Sequence, residues 1–514
     1  MQHYLKDLRS DLPASIIVFF VAVPLCLGIA LAAGAPLFAG ILSGIIGGIV
    51  VGSLSGSSVG VSGPAAGLVV IIISGISSLN GWENFLTAVS LSGIIQIIMG
   101  YFRLGFIAYY FPNSVIKGML CGIGIIIILK QIPHIIGYDA DYFGDIDFNL
   151  KDGNTLTLIQ LAIKSITPEA IAISIMSLIV LFAWETTFIQ SKKFVKYLQA
   201  PLIVVLLGIV FTFLSQNNFI PFTIEKEHLV NIPEFSNIFS VIGHLSHPSL
   251  SALSNPEVYI VAFTIAIVGS IETLLCVDAT DKLDPQKRIT PPNRELKAQG
   301  FGNLLAGALG GLPITQVIVR SSANISFGGK TKVSAILHGV FIFLSIMLIP
   351  NIINMIPLAS LSCILLLVGY KLAKPELFKK MYQYGAIQFA PFLVTVVVMQ
   401  FTDLLKGVFA GLIVAIIFIL KKHYINDYQL TQCKTAEEEH YKIQLAEDVS
   451  FLNKGALAEI FRKIPNDATV DIDFSNNKMI DHDVEDVIEE FQINSKCRNI
   501  TVNIIGLDAT KITY

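Results

Sequence analysis

Glu272 stands near the centre of an apolar run, IVAFTIAIVGSIETLLCVDATD, in the eighth hydrophobic segment of the chain. A carboxylate at membrane depth is costly enough to need a partner or a watery cavity, and moving a charged substrate is the usual reason for either. Thr273 and Cys276 lie beside it, within one helical turn. Downstream, GGLPITQVIVRSSANISFGG is interrupted by Gly310, Gly311 and Pro313 ahead of Thr315, Gln316 and Val317, and it carries Arg320. Such a break predicts a short helix that starts near the bilayer midplane, with unpaired N–H groups and its positive dipole end turned toward Glu272. The chemistry this combination suits is an anion site beside a coupling carboxylate.

The elements that position these residues follow a repeat. A second short segment, VSGPAAGLVV, opens on Gly63 and Pro64 about 250 residues earlier. The two broken segments are third and tenth among fourteen apolar segments, which places them equivalently in two sets of seven. Paired half-helices whose N-termini face one substrate are the pattern of an inverted-repeat transporter. The plainer alternative is that each Gly-Pro marks a loop between full spans. Several segments fall short of the roughly 20 residues of a simple span. Non-helical backbone at membrane depth survives only inside protein or beside a cavity, so half-length segments point inward to a site.

Composition agrees with a membrane location: 53% of residues are hydrophobic and 14% charged, more apolar surface than a soluble core of ordinary size can hide. A net charge of -3 provides no attraction for nucleic acid. The six cysteines form no C-x-x-C pair and suggest neither a disulfide framework nor a metal cluster. The N-terminus is too polar, and the apolar run after it too long, for a cleaved signal. Lys6 and Arg9 precede the first segment, Lys192, Lys193 and Lys196 follow the sixth, and Lys282, Lys287, Arg288, Arg294 and Lys297 follow the eighth. Asp139, Asp141, Asp145 and Asp147 follow the fifth. The positive-inside rule then predicts a cytoplasmic-membrane protein with both ends of the membrane unit in the cytoplasm and the acidic loop outside. Gly40, Gly44, Gly48 and Gly52 form a stripe that invites close helix packing.

Composition changes after Lys421. Alternation in YKIQLA, TVDIDF and ITVNII predicts three strands, and the spacing of Val449, Leu452, Leu457, Ile460, Phe461 and Ile464, and of Val484, Val487, Ile488 and Phe491, predicts two helices. The expected fold is an all-α polytopic membrane protein of about 14 spans in a 7+7 inverted repeat, residues 1–425, followed by a small cytosolic α/β domain, residues 436–514.

GSIETLL with Asn293-Arg294-Glu295-Leu296, GFGNLLAGALGGLP, Arg320-Ser321, VSGPAAG and the C-terminal α/β domain, in that combination and spacing, resemble the sulfate permease (SulP) family, whose animal members include prestin. The C-terminal domain resembles the STAS module of sulfate transporters and anti-sigma factor antagonists. The resemblance spans nearly the whole chain and implies a core domain that moves against a gate domain, a homodimer, and a small inorganic anion as substrate. By position it implies that the anion sits between half-helices starting at Gly63, Pro64, Ala65 and Ala66 and at Pro313 to Val317, with Thr315 and Gln316 adding hydrogen bonds and Arg320 nearby. It also places Glu272 at the family's acidic position. Where sodium-coupled bicarbonate carriers of the family carry a hydroxyl, this chain has Cys276. A thiol is a poor ligand for a hard cation, which favours protons over sodium as the coupling ion, although Thr273 keeps sodium open. Glu272 could instead be a structural partner of Arg320. In the C-terminal domain Met479-Ile480-Asp481-His482-Asp483 lacks the serine of phosphorylated antagonists, which leaves docking or folding as the expected role.

Other functions fit less well. FGGKT at 327–331 has Asn324 where a P-loop needs its first glycine, and no metalloprotease signature or nucleophile set suggests an enzyme, a metal or an organic cofactor. A nucleobase-proton symporter of the same architecture is the nearer rival, and a channel-like or motor protein is a third reading. Sulfate and bicarbonate both suit the site.

Overall fold

The computed structural model describes residues 7–106, 112–139, 167–191, 199–235, 238–402, 404–426, 428–434, 439–445, 448–449, 454–477 and 479–506. Lys6, Lys192, Lys193, Lys196, Asp141, Asp145 and Asp147, used above for orientation, lie outside them. The chain divides into two units, Met1–Gln383 with Phe392–Gly411, and Tyr384–Pro391 with Leu412–Tyr514.

Among the described residues fourteen helices, all but α9 and α10 markedly apolar, follow the fourteen segments in order: α1 Leu8–Ala32, α2 Leu37–Leu54, α3 Val69–Ser78, α4 Trp82–Tyr101, α5 Asn113–Ile135, α6 Pro168–Glu185, α7 Ala200–Gln216, α8 Pro256–Leu283, α9 Pro292–Leu309, α10 Ile318–Ser326, α11 Val333–Leu348, α12 Leu358–Leu372, α13 Ala386–Phe401 and α14 Leu404–Asn426. Among the described residues seven helical stretches are long and apolar enough to cross a membrane. Helices α6 to α9 each begin with proline in the first turn, where a missing N–H costs nothing. Gly310, at φ 93°, ends α9 in the left-handed conformation that releases the chain into the second broken segment.

The glycine stripe of α2 packs against two helices. A Cβ on Gly44 would lie 2.6 Å from the Cys26 sulfur of α1, and one on Gly48 would lie 2.6 Å from the Gly339 Cα of α11. Between Gly47 and Val51 the helix widens into a π-turn, a feature common at functional sites. There Gly47 lies so close to the Ser62 carbonyl that a Cβ would approach its oxygen to 2.5 Å.

The broken segments differ from expectation. The backbone at Gly63–Pro64 and from Ile314 to Gln316 is extended, not helical: β1 Ser62–Pro64 pairs antiparallel with β2 Ile314–Gln316, with Gly63 opposite Thr315. Ala65 is also extended, a 3-10 turn runs Ala66–Leu68, and Val317 is the N-cap of α10. Each proline removes a helix donor, and the remaining backbone groups, which cannot reach water, satisfy one another across the pair. Three-residue strands leave no periodicity to read.

One face of α9 holds this crossing in place. Gln299 Nε2 donates to Ser62 Oγ at 2.8 Å and to Glu295 Oε1 at 3.0 Å. Asn303 accepts from the Ile314 N–H at 2.6 Å and donates to the Ile314 carbonyl at 3.1 Å, standing in for a neighbouring strand. Asn303 also donates to Gln96 Oε1 at 2.7 Å. Asn303→Ala would leave the buried Ile314 N–H unpaired, a loss of about 1–3 kcal/mol. The expected result is a lower midpoint of thermal unfolding in detergent, and an unchanged midpoint would show that Asn303 does not hold β2.

In the second unit, β3 Tyr428–Lys434, β4 Glu439–Leu445, β6 Thr469–Asp473 and β8 Thr501–Ile505 form one sheet in the order β3-β4-β6-β8. The pairs β4-β6 and β6-β8 are parallel, and β3 is antiparallel to β4. The three expected strands are joined by a fourth, β3, whose sequence YQLTQCK is too polar to signal a strand. β5 Asp448–Val449 and β7 Met479–Ile480 make a separate short parallel pair. Helices α15 Lys454–Lys463 and α16 His482–Ser495 close an apolar core in which the rings of Phe461 and Phe491 stack 4.1 Å apart. The sheet with two helices has the α/β form expected of a STAS-like domain. Asp481 caps α16, and His482 is exposed and meets Glu485 at 3.1 Å.

Candidate functional site

Helix α8 presents Glu272, Thr273, Cys276 and Thr280 to the strand crossing, a spacing that puts them on neighbouring parts of one helix surface. The Glu272 carboxylate accepts from the Gly67 N–H in the turn that opens α3. This is the favourable place for an acid, against the positive end of a helix. Its Oε2 is enclosed and without a partner, although the residue as a whole is only half-buried. A Cβ at Gly67 would overlap the carboxylate and force it to shift. Thr273 Oγ1 accepts from the Gln316 N–H at 3.4 Å, and the Cys276 sulfur accepts from the Ile318 N–H at the start of α10. Thus α8 reaches both half-helix starts, with Glu272 at the α3 side and Cys276 at the α10 side, whereas the sequence reading turned the α10 terminus toward Glu272.

Arg320 is fully buried, with 0% exposure. Its Nη2 donates to Cys26 Sγ at 3.3 Å, while Nε and Nη1 have no partner. Among the described residues no ion pair joins Glu272 to Arg320. Nη1 lies against Gly63, where a Cβ would overlap it. A buried guanidinium stays charged and is strongly unfavourable without a counter-charge. Among the described residues no counter-charge meets it, and its unpartnered nitrogens lie next to β1.

The other predicted residues fall around the same crossing. Gly63 and Pro64 are in β1, Ala65 and Ala66 lead into α3, and Thr315 is buried opposite Gly63. Gln316 is buried and turns its amide nitrogen to Thr280 Oγ1 at 3.1 Å, leaving Oε1 unpartnered. The Val317 N–H is taken by the Val61 carbonyl at 2.9 Å. Sequence reasoning missed Cys26, Gly67 and His338. His338, on α11, is fully buried with Nδ1 against the Ala335 carbonyl and Nε2 unpartnered. A lone polar residue in an apolar helix was the available signal for His338; for Cys26 and Gly67 there was none.

Gly63→Ala is expected to displace the Arg320 guanidinium, at about 1–3 kcal/mol of overpacking. Anion affinity should fall while the purified protein stays folded; unaltered affinity would mean that the guanidinium moves aside without consequence.

A second polar cluster caps the far end of α5. Asp139 lies between His134 and His228, whose Nδ1 atoms are each 2.6 Å from a different carboxylate oxygen. It borders a cavity of about 560 Å³ shared with Lys226, His244 and Gly310. Burial pushes the Asp139 carboxyl up, but the hydrogen bonds from both histidines outweigh it and hold the group below its ordinary value. His228 is raised by its hydrogen bond to Asp139, against burial, with Glu225 and Glu169 adding to the rise. A raised histidine stabilises fully below its ordinary value and loses that contribution as pH climbs through the raised one; a lowered aspartate stabilises above its ordinary value and loses it as pH falls through the lowered one. The segment 225–232, tied also to Ile356 and Asn354, should therefore be best protected between about pH 4 and 6.5. Amide exchange corrected for intrinsic rate should quicken above that range in the parent and lose this alkaline limb in His228→Gln. Equal profiles would dismiss the clasp.

Comparison with known proteins places the chain in a family and a fold. A profile described as the sulfate permease family matches residues 8–397. YvdB of Bacillus subtilis, provisionally named a sulfate transporter, is 26% identical over 423 residues, covering 81% of this chain and 74% of its own. The bicarbonate transporter BicA of a Picosynechococcus species is 25% identical over 454 residues, covering 86% and 75%. Among solved structures, the transmembrane domain of a cyanobacterial BicA has a TM-score of 0.65 at 23% identity, covering 79% of this chain and 97% of that one. The murine anion transporter Slc26a9, in its inward-facing state, has a TM-score of 0.77 at 15% identity, covering 98% and 86%. These structures share the fold.

Proposed function

The chain belongs to the sulfate permease family, a family of transporters and not enzymes, and on that premise we propose that it is a secondary transporter of a small inorganic oxyanion, sulfate or bicarbonate. The observation that carries this reading is Arg320, charged, fully buried and with two nitrogens unpartnered beside the crossed strands. An oxyanion there supplies the missing counter-charge and acceptor atoms. Helix starts on either side contribute positive potential, and Thr315 closes the opposite edge of the strand pair.

Glu272 is the coupling group in this mechanism. Its enclosed Oε2 can hold a proton, and in that form the acid no longer repels an anion nearby. Proton and anion then cross together as the core helices move against the gate, since each offsets the cost of enclosing the other. The Cys276 sulfur, already accepting the Ile318 N–H, is a poor ligand for sodium, which favours the proton. The protein works as a homodimer in the cytoplasmic membrane, with both ends of the membrane unit in the cytoplasm and the C-terminal domain as a docking or folding module. The test is uptake of labelled sulfate and of labelled bicarbonate into liposomes under an inward proton gradient, an inward sodium gradient or neither. Uptake of one anion driven by protons is expected. No uptake of either anion, with nucleobase controls included, would defeat the reading.

A further inference from the structure

Arg320 meets one protein acceptor, and that acceptor is a thiol. Cys26 is fully buried on α1, its sulfur 3.3 Å from Nη2. The thiol cannot swing away, because Gly44 of α2 lies directly behind it, close enough that a Cβ would approach the sulfur to 2.6 Å. Sulfur is a weak, neutral acceptor, so the contact leaves the charge of Arg320 uncompensated, where a carboxylate would neutralise it. Its geometric effect is larger. A guanidinium offers oxyanions two two-pronged edges, Nε with Nη2 and Nη1 with Nη2, and Nη2 belongs to both. A thiol on Nη2 takes one of its two hydrogens and with it one edge, while Gly63 crowds Nη1 on the other side.

We infer that Cys26 is a selectivity residue that withholds a two-pronged edge of Arg320 from the anion, so that the guanidinium acts mainly as a point charge. This rests on Arg320 being the anion's partner, as proposed above. A point charge serves a spherical halide nearly as well as an oxyanion, whereas a free fork favours the oxyanion through two parallel hydrogen bonds. Cys26 thereby narrows the gap between the two classes.

The test uses the purified full-length protein in detergent, with sulfate and chloride as probes and the thermal-unfolding midpoint as the readout of half-saturation. Cys26→Ala should lower half-saturation for sulfate relative to chloride by roughly three- to tenfold, the net worth of one ordinary hydrogen bond. Cys26→Ser, whose hydroxyl can cap Nη2 again, should keep the parental ratio within about twofold. A ratio is insensitive to lost stability, which a merely structural cysteine would change for both anions alike. If Arg320→Gln abolishes stabilisation by both anions but Cys26→Ala keeps the parental ratio, the inference is wrong and the proposed site stands. If Arg320→Gln leaves both anions binding as before, the proposed site fails and the inference with it.

Discussion

Arg320→Gln is expected to weaken anion binding by about 2–4 kcal/mol, roughly 30- to 1,000-fold in half-saturation, because in the proposed site it removes the positive charge beside the crossed strands. Glutamine preserves most of the volume, so folding should change little. The prediction rests on Nε and Nη1, which have no partner in the protein, and on Nη2, whose single contact is a thiol. Had Arg320 been paired with Glu272, its loss would instead have exposed an unpaired buried carboxylate and destabilised the fold. Half-saturation for labelled sulfate and bicarbonate in liposomes, alongside the unfolding midpoint, separates the two cases. Unchanged affinity with a fallen midpoint would make Arg320 structural.

Glu272→Gln should reduce gradient-driven uptake to the level of protein-free liposomes while the protein remains folded. The amide oxygen can still accept from the Gly67 N–H, so the start of α3 keeps its cap. What disappears is the ability to alternate between a charged and a protonated state, on which the proposed coupling depends. Exchange of anion for anion without a gradient should survive in part, since Arg320 and the strand pair are untouched. Full proton-driven accumulation by Glu272→Gln would remove Glu272 from the mechanism.

The sequence by itself determined the architecture. Fourteen apolar segments, two of them opened by glycine and proline, carried the spans and the pair of broken helices, because hydrophobicity and backbone breaks are local properties that the bilayer constrains directly. It also singled out Glu272 and Arg320, which are conspicuous against apolar surroundings. Tertiary structure alone decided what each of them touches. Glu272 meets Gly67, about 200 residues away in sequence, and Arg320 meets Gly63 and Cys26, nearly 300 residues away for the latter. The extended pairing of Ser62–Pro64 with Ile314–Gln316 and its support by Gln299 and Asn303 are likewise long-range or too short to carry periodicity. A residue's type states which hydrogen bonds and charges it can offer. Which of them remain free for a ligand depends on the partners the fold brings within 3 Å or so, and the proposal that Arg320 meets an anion rests on those partners being missing.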